Sequence, residues 1–119
     1  MRMMMIYRPY APESDAPPTE EEMAAMGAFI GELAASGVLI ATDGLVPSSK
    51  GAKVKLKGGK VTIVDGPFAE AKEIIAGFAI VRVDSKQQAI ELGERFLRLA
   101  GDGEQEIREM YDVPAYPPE

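Results

Sequence analysis

The stretch Ile74-Ile75-Ala76-Gly77-Phe78-Ala79-Ile80-Val81-Arg82-Val83 carries a single charge, at Arg82. Successive side chains of a strand point to opposite faces. Ile75, Gly77, Ala79, Val81 and Val83 therefore share one side, and Ile74, Ala76, Phe78 and Ile80 the other. A sheet with one face in water alternates apolar with polar residues, and this stretch does not. A first strand predicted over 2–8 repeats the pattern, with Met3, Met5 and Tyr7 set against Met4 and Ile6. Both faces of the central sheet thus call for burial.

The segments around this strand supply one cover only. Residues 9–18 hold four prolines and form a loop. Thr19, followed by Glu20, Glu21 and Glu22, is an N-cap with a capping-box partner, and the three acids complement the helix dipole. Met23, Met26, Ile30 and Leu33 recur at helical spacing, and Gly37 is placed to end the helix. A short strand over 38–41 follows. Lys53-Val54-Lys55-Leu56-Lys57 then alternates strictly, and Gly58-Gly59 turns it into Lys60-Val61-Thr62-Ile63-Val64, a hairpin signal. After the strand at 74–83, Ser85 with Gln88 forms a second capping box. Ala89, Leu92 and Phe96 give the apolar stripe of a second helix, and Glu106–Tyr111 is predicted as the last strand.

Without the hairpin the order is βαββαβ, the ferredoxin-like arrangement on one antiparallel sheet. The expected fold class is α+β, ferredoxin-like with an inserted β-hairpin, in one domain over 1–119 with an extended tail at 112–119. Two helices shield one face of such a sheet. At about 25 cal/mol per Å², an apolar four-strand face left in water forgoes several kcal/mol, and it exceeds the patch usual on a monomer. A second copy, sheet against sheet through a two-fold axis, is the economical cover. A homodimer is expected.

Composition excludes several classes. The chain has 119 residues, a net charge of −6, no histidine and no cysteine. The negative balance argues against nucleic-acid binding, which relies on cationic side chains displacing counterions. No apolar run approaches the roughly eighteen residues of a membrane span, and the apolar run near Met1 is too short for a signal-peptide core. A cytoplasmic location is the default. Without thiol or imidazole, and with no third ligand evident, neither a metal nor another cofactor is expected, and chemistry falls to carboxylates, Lys, Arg, Tyr or hydroxyls.

The segment Asp65-Gly66-Pro67-Phe68-Ala69-Glu70-Ala71-Lys72-Glu73, then Ala76-Gly77-Phe78, resembles the DGPF-motif branch of the YCII-related family. Gly37-Val38-Leu39, Gly44-Leu45 with Pro47, and Glu106-Ile107-Arg108 are similar to the same branch. The resemblance covers nearly the whole chain. It implies a dimeric α+β barrel, in which two ferredoxin-like sheets face each other and enclose a cleft. The wider superfamily resembles muconolactone isomerases and antibiotic-biosynthesis monooxygenases, which implies a small-molecule ligand. The branch further implies a stress or signalling context with an extracytoplasmic-function sigma factor as partner. YCII members with a histidine–aspartate pair offer an acid–base site that cannot carry over here, because this chain has no histidine.

The candidate residues each have two readings. Asp65 is a general acid or base in a partly apolar cleft, or a turn residue whose carboxylate accepts backbone N–H groups. Glu70 and Glu73 share a face if 67–73 is a helical turn, whereas an extended segment pairs Glu70 with Lys72. With Asp65 they are the catalytic candidates. Tyr7, Arg8, Asp65, Phe68, Lys72 and Arg108 are the ligand-binding candidates, since an arginine in a cleft holds a carboxylate through two parallel bonds. The plain reading of Tyr7 and Arg8 is packing with a wet polar end. Lys50, Lys53, Lys55, Lys57 and Lys60 read as a charged sheet edge that discourages pairing. Three functions stay open: a cleft that binds a small organic ligand, a small isomerase- or lyase-like enzyme using Asp65 with Glu70 or Glu73, and a DGPF segment that serves folding alone.

Overall fold

The computed structural model describes residues 1–112; the tail expected over 112–119 lies, from residue 113 on, outside the described residues. In chain order come β1 (Arg2–Pro9), α1 (Glu20–Ala35), β2 (Leu39–Gly44), β3 (Ala52–Lys57), β4 (Lys60–Asp65), β5 (Gly77–Arg82), α2 (Lys86–Ala100) and β6 (Gly103–Glu109). Single 3₁₀ turns occupy Ser48–Lys50 and Ala71–Glu73. The main sheet has the order β2-β5-β1-β6 with every neighbouring pair antiparallel, and β3–β4 forms a separate two-stranded sheet. This is the ferredoxin-like α+β fold with an inserted hairpin. Among the described residues no helix is long and apolar enough to cross a membrane.

Local chemistry sets the element ends. Thr19 caps α1 by accepting the Glu22 N–H, and its hydroxyl donates back to the Glu22 carboxylate at 3.2 Å. Ser85 caps α2 through the Gln88 N–H, while Gln88 Oε1 takes the Asp84 N–H rather than that of Ser85. The hairpin turn needs two residues at positive φ, and Gly58 and Gly59 supply them at 58° and 79°. The last strand begins three residues before its predicted start, because the ladder to β1 continues down to Gly103 opposite Pro9. The strand predicted over 74–83 is shorter, Gly77–Arg82, and residues 74–76 instead line a cavity.

Register divides the sheet as the alternation requires. Met3↔Val81, Met5↔Ala79 and Tyr7↔Gly77 lie on one face, with Ile107 opposite Met5. Met4↔Ile80 and Ile6↔Phe78 lie on the other. Met3, Met5, Val81 and Val83 are buried together with Phe29 and Leu33 of α1 and Ala89 and Leu92 of α2. Both helices therefore cover the first face. Met4, Ile6, Phe78 and Ile80 remain half-buried on the second, which carries no helix.

Candidate functional site

Two regions of the fold gather the chemistry, one on each side of the sheet. On the helix-free side, Arg8 at the end of β1 stands over β6. Its Nη1 lies 2.8 Å from Glu106 Oε1, and Arg108 Nη1 lies 3.0 Å from Glu106 Oε2, so one carboxylate is shared by two guanidinium groups. The hydrogen bonds from Arg108 and Arg8 hold the Glu106 carboxyl below its ordinary pKa. Arg8 Nε also donates to the Lys72 carbonyl at 3.3 Å, which ties the 65–73 segment to the sheet.

That segment is braced from beneath. Gly66 N–H donates to the Gly51 carbonyl at 3.0 Å, and the Gly66–Pro67 peptide is cis. A Cβ on residue 66 would sit 1.6 Å from the Ser48 carbonyl oxygen, so only glycine fits. Phe68 N–H donates to Ser48 Oγ at 3.0 Å. Ser48 donates in turn to Glu13, its N–H to Oε1 at 2.7 Å and its hydroxyl to Oε2 at 2.6 Å. The Asp65 turn, the 48–51 turn and the proline-rich loop 9–18 are thereby fastened to one another through Ser48.

Two of the segment's carboxylates, Glu70 and Glu73, are occupied by lysines. Lys53 of β3 reaches Glu73 at 2.8 Å and lies 4.5 Å from the centre of the Phe68 ring. The hydrogen bond from Lys53 lowers the Glu73 pKa, with Lys55 and Lys72 adding to the effect. Lys72 Nζ lies 3.1 Å from Glu70, in the open. Asp65 is exposed at the end of β4, opposite Ala52. Among the described residues no group of three acidic side chains is arranged to hold a metal ion.

On the helix side lies a cavity of about 690 Å³. Its floor is β2 and β5, with Leu39, Thr42 and Ala79. Its roof is α1, with Met26, Phe29 and Ile30, and Pro12, Glu13 and Pro18 of the loop line it as well. Tyr7 enters from β1 with its ring edge-on to Phe96, centroids 5.0 Å apart. Burial, then the Asp102 charge, raises the Tyr7 pKa above its ordinary value. Gln105 Oε1, on the same wall, is buried and has no hydrogen-bond partner among the described residues. A buried unpaired acceptor costs about 1–3 kcal/mol, and this oxygen lies against Gly93 of α2.

The predicted residues therefore fall into two sets. Arg8, Arg108 and the Lys72 backbone converge on the helix-free side, with Phe68 and Glu73 bound to Lys53 beside them. Tyr7 lies on the opposite face, inside the cavity, and Asp65, Glu70 and Glu73 do not line that cavity. Glu106, Ser48, Glu13 and Gln105 were not singled out from the sequence. Glu106 was legible from the two-residue period that sets it beside Arg108. Glu13 and Ser48 are 35 residues apart, and no periodicity links them.

Comparison with known proteins places the chain in context. The family model for the YCII-related domain matches residues 1–113. A stretch of 47 residues is 36% identical to an uncharacterized protein of Rhizobium meliloti (strain 1021), covering 40% of this chain and 38% of that relative.

Proposed function

The chain belongs to the YCII-related family, and from that membership we propose that it is a single-domain DGPF-branch protein, a cytoplasmic homodimer that binds a small organic ligand. The observation that carries the ligand is the helix-side cavity. Its volume of about 690 Å³ lies within the roughly 300–1,000 Å³ usual for small-molecule sites. Its walls are mostly aliphatic and aromatic, with Tyr7, Glu13, Thr42, Asp43 and Gln105 as polar side chains among them. A small, largely apolar molecule with a polar edge matches that lining. The DGPF segment then acts at a distance, through Phe68, Ser48 and Glu13, by fastening the loop that lines the cavity. The homodimer is supported by Met4, Ile6, Phe78 and Ile80, which the chain's own helices leave half-covered. A sigma-factor partner is carried by the branch resemblance alone.

The acid–base reading with Asp65 and Glu70 or Glu73 has less support. Glu73 is held ionised by Lys53, which makes it a poor proton donor, and none of the three carboxylates lines the cavity. Thermal-shift titration with small aromatic acids, phenols and amides tests the ligand reading. A saturable, dose-dependent rise in melting temperature marks native-state binding. No rise with any of them, alongside unchanged amide spectra for Tyr7, Ala79 and Gln105, contradicts it.

A further inference from the structure

The β3–β4 hairpin presents four large aliphatic side chains on one face. Val54 stands opposite Ile63 and Leu56 opposite Val61, and they are exposed to 73%, 65%, 72% and 58% respectively. The hairpin is a sheet of its own, and a lone two-stranded ribbon is marginally stable in water at best. Lys53, Lys55, Lys57 and Lys60 occupy the other face. At the root, Lys53 is bound to Glu73 and lies over Phe68, so the lysine face is turned toward its own chain. The aliphatic face is turned away from it. Among the described residues nothing covers that face.

Charge selects among the molecules available. Of the chain's 13 lysines and arginines, five lie within residues 50–65, as does one of its 19 carboxylates; the remainder holds eight cations against eighteen carboxylates. A cationic ribbon on an acidic body offsets the repulsion between two such bodies and so eases the approach of a second copy. Toward a nucleic acid or an anionic bilayer, the net charge of −6 opposes approach. Length also fits. Strands of six residues extend about 20 Å, comparable with the width of four strands spaced about 4.8 Å apart.

We propose that the hairpin is an arm that clasps a second copy of the chain, laying Val54, Leu56, Val61 and Ile63 on the partner and extending an interface begun by the helix-free faces. The inference rests on the dimer proposed above and goes beyond it, since sheet faces could meet without arms. Each copy lends one arm and receives the other. The lysine face of each arm stays toward its own body, where Lys53 holds Glu73.

The test combines sedimentation of the fourfold variant V54T/L56T/V61T/I63T with hydrogen exchange of the native chain. Threonine keeps β-propensity, and all four sites are exposed, so the variant retains its fold. The arm predicts a dimer dissociation constant raised at least about 100-fold, since four buried aliphatic contacts are lost. It also predicts that amides over 52–65 of the native chain are protected at high concentration and lose protection on dilution through the dimer transition. A native dimer whose affinity the variant leaves unchanged, with exchange over 52–65 independent of concentration, overturns the arm and leaves the dimer standing. A native chain that is monomeric at every concentration overturns both. Protection that arises only with phosphatidylserine vesicles overturns the arm in favour of a lipid surface.

Discussion

Lys53 Nζ lies 2.8 Å from Glu73 Oε2, joining the root of the hairpin to the end of the segment that begins at Asp65. The same ammonium lies 4.5 Å from the centre of the Phe68 ring. One lysine therefore ties the root of the hairpin to two residues of that segment. Glu73→Gln is expected to leave global stability nearly unchanged, as for other solvent-screened ion pairs. Amide exchange over 52–57 is expected to accelerate by comparison with β1. Equal exchange in both proteins would show that Glu73 has no part in setting the arm.

Gly66 is the position of the DGPF tetrad where the backbone leaves no room. A Cβ there would meet the Ser48 carbonyl oxygen at 1.6 Å. Gly66→Ala is expected to cost about 3 kcal/mol or more, the range of substitutions that force backbone apart. Ser48→Ala, which deletes the hydroxyl contacts to Glu13 and Phe68, is expected to cost about 1–2 kcal/mol. Urea unfolding midpoints read both. A Gly66→Ala protein as stable as the native chain would contradict the packing described for this turn.

Glu106 sets part of the acid limb of stability. Its carboxyl is held below the ordinary value of 4.5 by Arg108 and Arg8. A depressed folded-state pKa contributes stability that is complete above the unfolded value and lost as the pH falls through the folded one. The native protein is therefore expected to lose stability below about pH 4.5 more steeply than Glu106→Gln, whose amide does not titrate. Parallel acid limbs for the two proteins would show that the guanidinium groups do not hold this carboxylate in solution.

Gln105→Leu separates stability from binding. Removing the buried, unpaired Oε1 for an apolar group of similar size is expected to raise stability by about 1 kcal/mol, since the native amide oxygen forgoes a partner. The same change is expected to alter the melting-temperature rise given by a ligand, because Gln105 lines the cavity. A variant that is less stable and responds to ligand as the native chain does would place the ligand elsewhere.

Much of this architecture was legible in the sequence because it depends on local rules. Thr19 and Ser85 capped the helices they were read to cap, and Gly58-Gly59 turned the hairpin. The two-residue period of Met3–Tyr7 and Gly77–Val81 sorted the faces as found. What escaped depends on distant segments meeting. The proline-rich loop gave no sign that Glu13 would hold Ser48, or that the loop would line a cavity. Ile74–Ala76 read as strand because their apolar run continues into β5, yet they serve as cavity wall. Glu70 pairs with Lys72 although a 3₁₀ turn intervenes, an arrangement that spacing alone had assigned to an extended chain. The first and last strands needed no special relation by sequence, and their pairing is what sets Arg8 beside Glu106.

Whether a partner covers Ile6 and Phe78 is decided most directly by sedimentation equilibrium of the intact chain at micromolar concentration. A single species of roughly twice 12.8 kDa is the expected result. A species of 12.8 kDa, with the Ile6 and Phe78 side chains fully open to solvent probes, would contradict it.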